Sequence, residues 1–253
     1  MITKRKNDLK WFEFKLFQPF NFLKHGVFPR KGGFSKKPFS TFNLDLSFKN
    51  SPDIQKNFDK LKNVFEIEDI VFSKQVHGSK IIEITSQNKN QLFECDGFVT
   101  KEKNTALLIK HADCQAALFF DPHKKVLGAV HAGWKGQVLD IYKKMIQKMR
   151  LLYQSNPKDI LVSISPSLGP KSAEFKNYRD EFPQCFWPFQ TENYLFDLWQ
   201  IGKYQLVNAG ILEKNIEIAQ IDTYQNKEDF FSYRREKITG RNATIIFLKD
   251  IKA

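Results

Sequence analysis

Cysteine is scarce in this chain. Its 253 residues hold three, Cys95, Cys114 and Cys185, too few for a disulfide framework and without the CxxC pairs that close a structural zinc site. No apolar run approaches the length needed to cross a bilayer. The segment from Met1 to Lys15 is charged and lacks the uninterrupted apolar stretch of a secretory signal, so a reducing cytoplasm is the expected compartment. Solenoid-period repeats, heptads, low-complexity tracts and Gly/Ser/Pro-rich linkers are all missing, and a single domain over 1–253 is expected. Acidic residues are outnumbered, 28 against 40 Lys and Arg, for a net charge of +12. The lysines are scattered, however, with only short pairs such as Lys36-Lys37 and Lys143-Lys144. That distribution describes a solvated surface better than a nucleic-acid face.

Hydrophobic residues make up 42% of the sequence and aromatics 14%, enough for a sizeable core and against disorder. Strand and helix patterns alternate. Phe20–Phe28, Ile70–Val76, Lys80–Ile84, Thr105–Ile109, Ala116–Phe120, Val126–Val130, Ile160–Ile164, Phe230–Tyr233 and Ala243–Leu248 read as strands. Ser51-Pro52-Asp53 opens a helix carrying Ile54, Phe58, Leu61 and Phe65 at helical spacing. A second helix follows Gly133, with Val138, Ile141, Met145, Met149 and Leu152 on one face, and a third spans Leu198–Ala209, stopped by Gly210. This order predicts an α/β to α+β fold, a layered sandwich of mixed sheets flanked by helices.

His77, Cys114 and His131 each fall at the end of an expected apolar strand, where strand tips of a common sheet can converge. Imidazole and thiolate are ligands that zinc favours, and three of them leave a fourth tetrahedral position for water or substrate. Spacing alone makes this a weak signal. Isolated His and Cys residues are usually satisfied core or surface groups.

The flanking segments add more: Lys74-Gln75-Val76-His77-Gly78, His111-Ala112-Asp113-Cys114-Gln115 and His131-Ala132-Gly133-Trp134-Lys135-Gly136. They resemble the signature segments of the YfiH-type family, purine nucleoside phosphorylases formerly described as laccase-domain or polyphenol oxidases. Phe28-Pro29-Arg30-Lys31-Gly32-Gly33-Phe34-Ser35 is similar to the family's glycine turn, and Cys95-Asp96-Gly97-Phe98-Val99-Thr100 to another of its elements. Asp197-Leu198-Trp199, Phe231-Ser232-Tyr233-Arg234-Arg235 and Thr239-Gly240-Arg241 resemble its C-terminal part. The chain departs from the pattern at Lys135, at Ser165, at Ser172-Ala173 and at Phe58, none of them a ligand position.

The resemblance implies a zinc ion held by His77, Cys114 and His131, with copper less favoured. It implies phosphorolysis of adenosine, inosine and methylthioadenosine, plus deamination of adenosine, with nucleoside and phosphate as partners. Zinc lowers the pKa of water to ~7, which suits attack on C6 of adenine. Asp113 is a candidate for proton transfer or for orienting His77 or His131, or else a plain turn carboxylate. Arg30, on its glycine turn, is the first candidate for catalytic phosphate contact, followed by Arg234 and Arg241 on the expected C-terminal strand pair. Gly133 to Gly136 offer either an anion site at a helix start or tight packing. His111 reads as a strand-side polar group rather than a fourth ligand, His25 and His123 as turn residues, and Cys95 and Cys185 as core.

Two other chemistries compete. A Cys/His hydrolase or deamidase would use Cys114 as nucleophile and His131 as base. A copper-dependent polyphenol oxidase fares worse, because five histidines are too few for several copper centres.

Overall fold

The computed structural model describes residues 1–45 and 51–250. Two six-stranded sheets stack face to face. The first runs in the order β1 (Ile2–Lys6), β2 (Leu9–Glu13), β3 (Leu23–Phe28), β16 (Asn242–Leu248), β9 (Thr105–His111) and β4 (Asp69–Val71). The second runs β15 (Ile216–Ile218), β12 (Leu161–Ile164), β10 (Gln115–Asp121), β11 (Val126–Ala132), β8 (Gly97–Thr100) and β6 (Ile81–Ile84). Their interiors are antiparallel, and β4, β6 and β15 add parallel edges. Small two-stranded sheets pair β5 (Ser73–Lys74) with β7 (Phe93–Glu94), and β13 (Gln190–Glu192) with β14 (Leu195–Phe196).

Helices cover both outer faces. α1 (Pro52–Phe65) lays Ile54, Phe58 and Leu61 on the first sheet, against Leu108, Ile245 and Phe247. α2 (Trp134–Val138), α3 (Ile141–Tyr153) and α5 (Leu198–Asn208) pack on or beside the second, where Met145 and Met149 meet Phe119 and Val162. The layers therefore run helix, sheet, sheet, helix. Period-2 alternation sorts each central strand. Leu107 and Ile109 enter the inter-sheet core while Ala106 and Leu108 face α1. Leu118 and Phe120 point inward, and Ala117 and Phe119 point to the helices. Both faces are buried, which explains why these strands read as unbroken apolar runs. No helix among the described residues is long and apolar enough to cross a membrane.

Several expected elements shift. Ile70–Val76 is not one strand: it divides into β4 and β5, and residues 75–78 form a loop. Strand β3 starts at Leu23, because Phe20 and Phe22 turn edge-on to Phe120. The helix after Gly133 breaks at Asp140, whose backbone is left-handed (φ 53°) and whose carboxylate accepts the amide of Lys143 to start α3. Leu152 consequently stays partly exposed. Phe230–Tyr233 is no strand either. Phe230 and Phe231 are buried, and Ser232 caps a helical turn, α6 (Tyr233–Glu236), by accepting from the Arg235 amide. A short helix, α4 (Tyr178–Glu181), lies in a flap over residues 168–198, built on its own aromatic cluster of Phe175, Phe182, Phe186 and Phe196. In that flap Phe186 turns inward, and Cys185, expected in the core, is exposed.

Phe120 is fully buried between the sheets and meets Phe17, Phe20 and Phe22 edge to face. Phe120→Ala is expected to cost about 3–5 kcal/mol, read as a lower denaturant midpoint at unchanged slope.

Candidate metal centre

The connection from β9 to β10 passes from one sheet to the other, and Cys114 sits in it. Asp113, just before, is held in the left-handed region at φ 85°. His131 lies on β11 directly across from Ala116 of β10 and is buried. His77 comes from the loop after β5 and is also left-handed, at φ 58°. The three therefore do not come from the tips of one sheet, as the sequence suggested. They meet at one end of the sandwich, where both sheets and a loop converge. One ligand atom from each lies within 4.8 Å of the others.

The His77 loop is stitched to both sheets. Gln75 pairs its carboxamide with the backbone of Lys110 at the end of β9, donating to the carbonyl (2.7 Å) and accepting from the amide (2.9 Å). On the other side, Asp96 accepts from the amides of Val76 (3.2 Å), His77 (3.0 Å) and Gly78 (2.8 Å). The same carboxylate takes His131 Nδ1 at 2.9 Å. An ionised carboxylate only accepts, so Nδ1 carries the proton and Nε2 is left for the centre. Asp96 is thus the orienting carboxylate, a pairing typical of metal-ligating histidine. The sequence left Asp113 open between that role and a turn carboxylate, and the structure places it on Thr223 and the Arg234 amide, as a turn carboxylate. Asp96 was visible in sequence only as a member of the Cys95–Thr100 element.

Asp113 has both carboxylate oxygens engaged, by the Thr223 hydroxyl at 2.7 Å and the Arg234 amide at 2.6 Å. Its carbonyl accepts the Leu168 amide. It ties the Cys114 turn to α6 and to the start of the flap. Gln115, on the other side of Cys114, anchors the turn to the helices through Leu198 O and the Tyr142 hydroxyl.

Burial alone would raise the Cys114 thiol pKa. His131 and His77, in charge and hydrogen-bond contact with the sulfur, more than reverse this and lower it to about 6. Burial likewise pushes His131 down, and the neighbouring thiolate and Asp96 override it, raising the imidazole to about 9. Asp96 is held below the usual carboxylate range despite its burial, by His131 and the loop amides. The arrangement therefore favours a thiolate beside two histidine rings, a donor set that fits a divalent transition metal once the cation displaces the His131 proton. Space fits too. A Cβ at Gly133 would come within 3.0 Å of both Cys114 Sγ and the His77 ring. At Gly136 the nearest atoms are carbonyls of Gly78 and His131, so these glycines serve close packing.

The centre opens into a cavity of about 970 Å³, walled by the metal turn, the flap and α6. Arg234 and Arg241 line it. Arg234 donates to Glu174 O and lies over Phe175, while Arg241 reaches the carbonyls of Thr239 and Gly240 and stands 3.9 Å from Asp45. Arg30 is not brought here. Its guanidinium pairs with Glu236 at 2.7 Å and lies over Phe231. The glycine turn offers no anion cradle, because Gly33 N, Phe34 N and Ser35 N already donate to Thr41 Oγ1, Asn57 Oδ1 and Thr41 O. Arg30 instead joins Arg235 and Thr239 on Glu236, and this clamp fixes α6. His111 is buried against Thr244 Oγ1 and is not within ligand distance of the cluster. His25 is no turn residue: it is buried in β3, accepting from the Phe14 amide. Cys95 is buried, as expected.

The family model described as "Multi-copper polyphenol oxidoreductase laccase" matches residues 24–249. The chain is 30% identical over 232 residues to a Haemophilus influenzae protein named "Purine nucleoside phosphorylase", covering 87% of this chain and 92% of that one. It is 28% identical over 254 residues to Bacillus subtilis "Purine nucleoside phosphorylase YlmD", covering 89% and 88%. The crystal structure of YlmD from Geobacillus stearothermophilus superposes with a TM-score of 0.88 at 26% identity, over 98% of this chain and 99% of that one.

Two outcomes test the centre. Asp96→Asn should weaken binding of a divalent metal by about 10- to 100-fold, measured by competition with a chromogenic chelator. In chelator-stripped protein, Cys114 should react with iodoacetamide along a profile centred near pH 6, since the thiolate is the reactive form above the lowered pKa. Site-resolved mass spectrometry separates it from exposed Cys185, and added Zn²⁺ should protect it.

Proposed function

The chain belongs to the multi-copper polyphenol oxidoreductase laccase family, and on that premise we propose that it is a zinc-dependent purine nucleoside phosphorylase with accompanying adenosine deaminase activity. The observation that carries the reading is the His77, Cys114 and His131 cluster at the wall of a cavity large enough for a nucleoside and phosphate. The names of the relatives supply the reaction class. Zinc is preferred to copper because of the five histidines His25 and His111 are buried away from the cluster and His123 sits in the turn held by Asp121. None is left to build further copper centres.

His77, Cys114 and His131 would hold the zinc, which would supply Lewis acidity and acidify water. The protein's own groups do the rest. Asp96 keeps the proton on His131 Nδ1 and so aims Nε2 at the centre. Arg234 and Arg241 offer bidentate contacts to phosphate. A phosphate oxygen then forms its bond to C1′ as the bond from C1′ to the base nitrogen breaks, the electron pair leaving with the base. In deamination, water oxygen bonds to C6 and ammonia departs. The flap, held by its aromatic cluster, limits water around both reactions.

A second reading has one observation in its favour. Asp96, His131 and Cys114 form a chain of orienting carboxylate, base and nucleophile, with the thiol pKa lowered to about 6. A metal-free Cys/His hydrolase or deamidase would use the same atoms. Metal content separates the two.

Protein purified gently should carry near-stoichiometric zinc by elemental analysis. Incubation with adenosine should give adenine and ribose 1-phosphate only when phosphate is present, and inosine in either case. Cys114→Ala should abolish both with the fold retained. A metal-free preparation that is fully active and killed by alkylation would instead establish the dyad. Arg234→Ala and Arg241→Ala should each raise KM for phosphate by about 10- to 100-fold. Arg30→Ala should lower both reactions together, because it acts on α6 and not on phosphate.

A further inference from the structure

We propose that Tyr233 is the stacking face for the purine base, a substrate-binding residue whose role rests on the nucleoside reading of this cavity. Among the described residues the carbocyclic rings lining the cavity are those of Trp134, Phe175 and Tyr233. The first two are taken up by the flap. Trp134 meets Phe175 and Phe182 edge to face, and Phe175 also packs on Phe182 and Phe196. The Arg234 guanidinium adds to Phe175 at 5.9 Å. Tyr233 differs: the residue is 53% exposed, and among the described residues no ring pair or hydroxyl hydrogen bond involves it. Its ring meets Lys237 Nζ, 5.6 Å from the centroid, which covers one face at most.

An exposed ring would mean little on a loose loop, but this backbone is pinned on every side. The Ser232 hydroxyl accepts the Arg235 amide, and Asp113 accepts the amide of Arg234, the very next residue. Arg235 donates to the carbonyls of Thr223, Tyr224 and Phe230. Asp113 also immediately precedes Cys114, so the spacing between the ring and the metal turn is set by one short covalent and hydrogen-bonded path. A free aromatic face on a rigid mount beside Arg234 matches a flat, apolar base joined to a polar sugar. Base-to-aromatic stacking tolerates different purines, because every base presents a π face.

The test compares wild type, Tyr233→Ala and Tyr233→Phe, with KM measured separately for adenosine and for phosphate. Tyr233→Ala should raise KM for adenosine about 10-fold or more while KM for phosphate and zinc content stay within about twofold. Tyr233→Phe, which keeps the ring, should match wild type within about twofold. An unchanged adenosine KM in Tyr233→Ala overturns the stacking role while leaving the nucleoside reading standing. Loss in Tyr233→Phe equal to that in Tyr233→Ala overturns it as well, by moving the role to the hydroxyl. A wild-type protein without turnover of any purine nucleoside overturns both together.

Discussion

One carboxylate holds this site together. Asp96, fully buried at the start of the second sheet, accepts the amides of Val76, His77 and Gly78 and the Nδ1 proton of His131. Its own carbonyl accepts the His131 amide. A buried carboxylate without partners is costly, so this loop and this histidine must settle around it in one arrangement. The left-handed backbone at His77 is sustained by those same bonds. Two of the three candidate ligands, His77 and His131, are therefore positioned by a residue outside the cluster.

Asp113 performs the matching task on the other side. It links the Cys114 turn to α6 and the flap, and the Arg30, Arg235, Thr239 and Glu236 cluster anchors α6 from beneath. Cationic side chains thus divide into two groups with different work. Arg30 and Arg235 are consumed in holding backbone, whereas Arg234 and Arg241 reach the cavity. Among the lysines, Lys74, Lys110, Lys176 and Lys237 also line the cavity.

The pairing of Cys114 with His131 is where two chemistries overlap. A thiolate beside an imidazolium is a nucleophile and its base when metal-free, and a ligand pair when a cation displaces the imidazole proton. His77 tips the balance. A dyad has no need of a second imidazole 4.9 Å from the first, whereas a three-ligand metal site does.

The sequence by itself determined much of this. Period-2 and period-3.6 patterns located α1, α5 and the central strands, because burial on both faces leaves an unbroken apolar record. The three candidate ligands were singled out through their flanking segments, and not through spacing, and the structure brings them together. Only the tertiary structure decided which carboxylate orients His131, since Asp96 and Asp113 look alike in sequence and differ only in what folds against them. The same holds for Arg30: a glycine turn after an arginine reads as an anion cradle until Thr41 and Asn57 are seen to accept its amides. It also decided that Phe230–Tyr233 bends into a capped turn, freeing the Tyr233 ring. Hydrogen-bond partners far apart in the chain made those choices, and local sequence carries no record of them.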